Sequence, residues 1–249
     1  MPDEPVLAVL LVSSLAAAFA GVGSIPFLLP RPPSKTLVGA AYALASGLML
    51  GAGYLLLSRG LDRTTFPVVA GAGLGVLYTY WIRSYAGVEE LDALAGGKPG
   101  PEFGYKILLQ NTLHSAAEGV AIGVAMVLDI RLGVFLALAL AVHNVAEAMA
   151  LTDILLGLGM GVGQAAGLCV VSNVAQPMLA LVAFALSPVL EGFLPAALGF
   201  SAGCLVFLTL TELLPASYRR AGKGLVGLLV SLAAGVVVFL EHFFVQGPR

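Results

Sequence analysis

The sequence predicts an all-α integral membrane protein, and three observations carry this prediction. The chain has 249 residues, of which 59% are hydrophobic, and only 10% are charged. Soluble domains carry about 25% charged residues, and a soluble fold of this length could not bury so much apolar surface. Apolar runs of about 20 residues, which cross a bilayer as a helix, also follow one another along nearly the whole chain. We therefore expect one transmembrane domain over residues 1–249.

Eight segments reach the length of a spanning helix, and polar or proline-rich breaks separate them. Prolines at 30–33 end the first, and charged residues at 59–63 end the second. A polar, glycine-containing stretch at 86–101 follows the third and predicts a loop. The break at 129–131 is so short that the fourth and fifth must be an antiparallel pair. The predicted helices lie near residues 6–29, 36–58, 66–86, 104–128, 132–156, 162–186, 194–215 and 222–245.

Charge placement predicts the orientation and limits the partners. If the N-terminus is outside, the inner loops carry eight Lys and Arg residues and the outer side carries four. The positive-inside rule then favours a cell-membrane protein with both termini outside. The formal net charge of −2 gives no electrostatic reason for a nucleic-acid partner. Glycine- and alanine-rich helix faces allow close helix packing and are compatible with a homodimer.

Two glutamates stand inside apolar segments, where a charged side chain is costly. Glu118 lies in the fourth predicted helix and Glu147 in the fifth. A charge near the bilayer centre costs about 3 kcal/mol on insertion scales, so such residues face a protein interior or a water-filled path. A histidine precedes each by four positions, His114 and His143 respectively. Residues four apart share one helix face, so each helix presents an imidazole and a carboxylate on one stripe.

The two motifs together predict a metal site. Two imidazoles and two carboxylates form a four-ligand set that suits Zn²⁺, and Fe²⁺ or Mn²⁺ also accept such ligands. A cation would also neutralise the two buried carboxylates. One His–Glu pair could be a structural contact within its helix, but two pairs on sequential antiparallel helices favour a shared site.

Other polar side chains are candidates for a pathway or a weak second site: Asn111, Ser115, Asn144, Gln176 and Glu212. Gln176 directly precedes Pro177, and interrupted helices often flank the substrate site of a transporter. Glu212 lies near the inner end of the seventh predicted helix. Glu212 either anchors that helix or lines an exit path, and the sequence does not decide between these two roles.

These motifs resemble those of the ZIP family of divalent metal transporters. The segment from His114 to Glu118 is similar to the family's fourth-helix motif, and the segment from His143 to Glu147 is similar to its fifth-helix motif. Residues 46–51 are similar to a second-helix stretch whose methionine, here Met49, lies beside the metal in some members. Residues 201–215 are similar to the seventh-helix signature. The resemblance covers the whole chain.

The resemblance implies a 3+2+3 arrangement, in which helices one to three and six to eight form an inverted pseudo-repeat around the central pair. It also implies a metal path between two helix bundles, one of which slides past the other. Some members hold two adjacent metals with an Asn on the fourth helix, an acid on the fifth and a Glu on the sixth. Ser115, Asn144 and Gln176 stand at these positions, so we expect a second site to be weak or absent.

The function expected from the resemblance is transport of a divalent metal cation into the cytoplasm, with the metal as substrate. Zn²⁺ is the first candidate, and Fe²⁺, Mn²⁺ and Cd²⁺ are the others. One alternative is a metal-binding membrane receptor or regulator with little flux. Another is a membrane metalloenzyme, but no His-Glu-x-x-His motif is present. We therefore expect no enzymatic activity, and partners limited to the metal, the bilayer and a second copy of the chain.

Overall fold

The computed structural model describes residues 3–86, 101–186 and 191–243. The described residues form helices and turns and no strand, which confirms the all-α prediction. The helices are α1 (Asp3–Ala18), followed by a 3₁₀ segment (Phe19–Leu28), α2 (Lys35–Leu61), α3 (Thr65–Ala86), α4 (Pro101–Leu128), α5 (Ile130–Gly157), α6 (Val162–Ser172), α7 (Ala175–Leu186), α8 (Leu194–Leu208), α9 (Leu214–Ala221) and α10 (Lys223–Glu241). The predicted loop at 86–101 lies almost wholly outside the described residues.

The described helices group into eight successive segments, which we number as spans one to eight. The first is α1 with its 3₁₀ segment, the sixth is α6 with α7, and the seventh is α8 and α9 joined by a π-helical turn, Thr209–Leu213. The remaining spans are single helices. Seven spans are long and apolar enough to cross a membrane. The other, α4, has 28 residues, but polar side chains occupy its middle and lower its hydropathy.

Three spans differ in detail from continuous α-helices. The first ends in its 3₁₀ segment. The sixth is interrupted at Asn173, where α6 ends, and α7 begins at Ala175, so the break lies four residues before Pro177, the residue at which the sequence suggests an interruption. The polar side chain of Asn173 donates back to the carbonyl of Cys169 (2.9 Å), and such local bonds compete with helix continuation. The seventh span extends to Ala221 and stops at Gly222, whose φ of 77° is a left-handed conformation that favours glycine.

The spans pack as two bundles. Spans one, four, five and six pack against one another and form the first bundle. Spans two, three, seven and eight do the same and form the second bundle. The bundles meet where α5 lies against α2 and where α4 lies against α8 and α3.

The packing follows the exchange expected of an inverted repeat. In such a repeat, span one corresponds to span six, two to seven, three to eight and four to five. The packing of span three against seven should then recur between spans eight and two. The packing of one against five should recur between six and four, and that of two against five should recur between seven and four. All six of these pairs are packed in the structure.

Some glycines lie at close helix–helix contacts, and others contact no neighbouring helix. An added Cβ at Gly71 or Gly75 of α3 would overlap carbonyl oxygens of α8, and one at Gly203 of α8 would overlap a carbonyl of α3. Gly47 of α2 likewise packs against α10. The glycine-rich stretch from Gly157 to Gly167 differs, because the Cβ position of Gly163 has open space around it. Close packing therefore holds the second bundle but does not explain the glycines near residue 160.

Candidate metal centre

The tight turn between α4 and α5 sets two long helices side by side. Asp129 caps α5, and its carboxylate accepts from the backbone N–H of Arg131 (2.7 Å) and of Leu132 (3.4 Å). Such a side-chain acceptor satisfies amides that have no partner within the helix. The antiparallel helices then bring the two His-x-x-x-Glu stripes to similar depths.

The four predicted ligand side chains converge between these helices. The Nε2 atom of His114 lies 3.2 Å from Oε1 of Glu118 and 4.0 Å from Oε1 of Glu147. The Nε2 atom of His143 lies 3.2 Å from the same Glu118 oxygen and 3.8 Å from Oε2 of Glu147. One ligand atom from each of His114, His143 and Glu147 lies within 4.8 Å of the others. Glu118 is not part of that group, but its Oε1 atom lies 3.2 Å from the Nε2 atom of each histidine.

Most of the polar atoms of this cluster are buried and have no hydrogen-bond partner among the described residues. His143 and Glu118 are fully buried, and His114 is nearly so. Among the described residues, neither nitrogen of His143, neither oxygen of Glu118 and not Nε2 of His114 has a partner at hydrogen-bond geometry. Buried polar atoms are nearly always bonded, and unpaired buried charge is costly. A divalent cation held by two imidazoles and two carboxylates is the kind of ligand that would satisfy them.

The amides beside the cluster are engaged in bonds within the protein. The amide nitrogen of Asn144 donates to the carbonyl of Ala16 (3.0 Å) and to Oε1 of Gln176 (3.0 Å). Asn111 donates to the hydroxyl of Ser172 (2.9 Å). These bonds tie α4 and α5 to the first and sixth spans, including the place where the sixth span is broken.

Three other predicted residues lie in different surroundings. Ser115 is fully buried on α4, and its hydroxyl has no hydrogen-bond partner among the described residues. Met49 is fully buried on α2, in the main apolar core, on a helix that packs against α5. Glu212 lies in the π-helical turn of the seventh span, where Arg83 forms an ion pair with it (2.7 Å). π-Helical turns are frequent at functional sites.

A cavity of about 170 Å³ leads away from the centre between the two bundles. Glu147, which is 18% exposed, reaches it from the first bundle. Glu212 and Arg220 reach it from the seventh span of the second bundle, and Tyr42 reaches it from α2. The cavity therefore joins the ligand cluster to the end of the molecule that carries α9 and its two arginines.

Several residues of this cavity were not predicted from the sequence. Gln110 lines it and donates to Oε1 of Glu212 (2.8 Å). A signal was present, because Gln110, His114 and Glu118 follow one another at intervals of four on one face of α4. The packing of the Arg220 guanidinium over the Tyr42 ring, 5.3 Å from its centroid, has no comparable signal in the sequence.

Comparisons with known proteins give the following similarities. Residues 99–240 match the model of the ZIP zinc transporter family, which is more than half of the chain. The chain is 27% identical over 92% of its length to a predicted zinc transporter of Arabidopsis thaliana. It is 30% identical over 58% of its length to the zinc transporter ZIPB of Bordetella bronchiseptica, and 28% identical over 84% to the zinc transporter GufA of Myxococcus xanthus.

These relatives differ in length from the chain. The match spans 37% of the Arabidopsis protein and 49% of ZIPB, but 88% of GufA.

Proposed function

Because this chain belongs to the ZIP family, we propose that it carries a divalent metal cation across the membrane through the cluster of His114, Glu118, His143 and Glu147. The observation that supports this most directly is the convergence of both histidines on one buried Glu118 oxygen, at 3.2 Å each. The metal is the substrate, and Zn²⁺ is the first candidate, since the matched relatives are named as zinc transporters. Fe²⁺, Mn²⁺ and Cd²⁺ are the other candidates, because His and Glu ligands select weakly among such metals.

The direction of transport that we propose is into the cytoplasm. The cavity beside Glu147 opens toward the end of the protein where Arg219 and Arg220 lie. That end carries the larger share of Lys and Arg, and such ends face the cytoplasm. Both termini would then lie outside, and the structure would have its site facing inward. A homodimer stays a prediction of the sequence.

One main metal per chain fits the surroundings of the cluster better than two. A second ion beside the first would need the side chains of Ser115, Asn144 and Gln176. The amide of Asn144 already donates to Gln176 and to a backbone carbonyl, and none of the three carries a charge. Met49 would contribute at most at the edge of the first site.

Vesicle flux with purified protein tests the proposal. Wild type and a Glu118→Ala variant are reconstituted, and uptake of Zn²⁺, Mn²⁺, Fe²⁺ and Cd²⁺ is followed with a trapped indicator dye. We expect wild type to pass at least one of the metals and the variant to pass at least tenfold less, a loss of about 1.4 kcal/mol in transition-state stabilisation. Equal, negligible uptake by both proteins would contradict the proposal.

Calorimetry, together with the flux assay, distinguishes a transporter from the alternative of a metal-binding receptor or regulator. A receptor or regulator would bind metal at the same cluster without carrying it, and the amides that occupy the second position are compatible with that role. Metal binding by wild type without flux in vesicles would support the hypothesis of a receptor or regulator. The enzymatic alternative is set aside, because the matched family and relatives are described as transporters.

A further inference from the structure

In the part of the chain that the structure describes, α4 makes two hydrogen bonds to the other bundle. The hydroxyl of Tyr78 on α3 donates to the carbonyl of Leu113 (3.1 Å). The amide of Gln110 donates to Oε1 of Glu212 on the seventh span (2.8 Å). The second bond joins two side chains in the wall of the cavity, so it can break and reform without disturbing a helix backbone.

Glu212 is held firmly from within its own bundle. Arg83 contacts the same Glu212 oxygen at 2.7 Å and also donates to the hydroxyl of Thr211 (3.1 Å). Two neighbouring residues of the π-helical turn are thus fixed by one arginine of α3. Glu212 is therefore a fixed acceptor in the second bundle, and the group facing it from α4 can change.

Lys106 lies one helical turn from Gln110 on α4, toward the beginning of the helix, and it is exposed. Positions four apart share a helix face and are separated by about 6 Å along the axis. If α4 moves by one turn toward its own C-terminal end, Lys106 arrives at the level that Gln110 now occupies. Its ammonium group would then meet the Glu212 carboxylate.

We propose that Glu212 and Arg83 form a latch that holds α4 in two alternative registers, through Gln110 when the cavity is open and through Lys106 when the site has moved away from the cavity. This rests on the proposed transport function, and it takes α4 to move with the first bundle past the second during transport. The four residues are positioning residues, because they act on the bundle and not on the metal. One-turn displacements of packed helices are a known form of switching between two states.

The latch predicts that substitutions at Gln110 and at Lys106 change the open fraction of the cavity in opposite directions. Gln110→Leu removes the bond of the open register, so the cavity should be open for less of the time. Lys106→Gln removes the ion pair of the other register, so the cavity should be open for more of the time. Either change should slow metal flux, because both registers must be reached in each cycle. The metal affinity should change much less than the flux.

Cysteine labelling measures the open fraction without requiring transport. Ala216→Cys places a thiol in the cavity wall on α9, and its reaction with a polar thiol reagent is followed in metal-free nanodiscs. Protein without the introduced cysteine gives the background from Cys169 and Cys204, both of which are buried. We expect labelling to fall about fivefold with Gln110→Leu and to rise with Lys106→Gln, a population change of about 1 kcal/mol.

Two further variants make the result decisive. Glu212→Gln removes the shared carboxylate, so Lys106→Gln should have no effect on labelling in that background. Lys223→Gln removes another exposed lysine at the same end of the protein and should leave labelling unchanged in either background. Opposite shifts that vanish with Glu212→Gln support the latch. Unchanged labelling with both single variants, or a Lys106→Gln effect that persists in the Glu212→Gln background, overturns it.

Failure of the latch and failure of the transport proposal would give different results in the two experiments. If wild type carries no metal, the proposed function fails, while the labelling experiment still reports whether the two registers exist. If wild type carries metal and labelling ignores Lys106 and Gln110, the latch fails and the transport proposal stands.

Discussion

His143 on α5 lies as close to Glu118 on α4 as the histidine of α4 itself does, with 3.2 Å between Nε2 and Oε1 in both cases. The two His-x-x-x-Glu motifs are therefore not two separate intrahelical pairs. Glu118 is the shared element, and it is fully buried, whereas Glu147 faces the cavity. Glu118 and Glu147, which look equivalent in the sequence, therefore lie in different environments.

Glu118→Gln should weaken Zn²⁺ binding at least tenfold, or about 1.4 kcal/mol. The amide has nearly the same shape as the carboxylate, but it removes the negative charge that both histidines face. Calorimetry on purified protein measures the change, and Glu4→Gln at the exposed start of α1 is the matched control. Unchanged affinity in Glu118→Gln would remove Glu118 from the site.

Gly119→Ala should destabilise the protein by about 1–3 kcal/mol, the usual cost of an overpacked position. A Cβ at Gly119 would overlap the carbonyl oxygen of Gln176, so α4 could no longer lie against α7. The melting temperature in detergent reports the effect. Gly163→Ala is the control, because its Cβ would meet open space. Equal melting temperatures for the two variants would show that α4 and α7 are not in this contact.

Asn144→Ala should also destabilise the protein, by about 1–3 kcal/mol, because buried Gln176 would lose its donor. Ser115→Ala serves as the comparison, since its buried hydroxyl has no hydrogen-bond partner among the described residues. We expect Asn144→Ala to have the lower melting temperature. The reverse order would mean that the bonds of Asn144 do not tie the spans together.

Metal stoichiometry should be close to one ion per chain when Zn²⁺ is bound and measured by elemental analysis after gel filtration. The reason is that the second position offers uncharged side chains, and Asn144 donates its amide within the protein. Two tightly held ions per chain would show that Asn144 and Gln176 rearrange to become ligands.

Zn²⁺ binding should weaken as the pH falls from about 7 to about 5, because the metal binds the neutral form of histidine and protons compete for the same nitrogen. Calorimetry at the two pH values measures it. A pH-independent affinity would argue against imidazole ligands.

Much of the fold could be predicted from local patterns. Runs of apolar residues give the eight spans, and the short break at Asp129 gives the antiparallel pairing of α4 and α5. The spacing of four between each histidine and its glutamate places them on one helix face, and the cost of buried charge marks them as a site. An interruption near Pro177 was predicted, but its position at Asn173 and the π-helical turn around Glu212 were not. Both depend on bonds to neighbouring spans or on local hydrogen bonding that hydropathy does not detect.

Hydropathy and helix periodicity were enough to predict a membrane protein of about eight spans and to mark His114, Glu118, His143 and Glu147 as candidate ligands. Three relationships appear only in the folded chain: Glu118 lies beside both histidines, Asn144 donates to Gln176, and Gln110 contacts Glu212 across the boundary between the bundles. In lipid every apolar helix face looks alike to a hydropathy pattern. Which faces meet depends on close packing at small residues and on interhelix hydrogen bonds, and these join positions far apart in the chain.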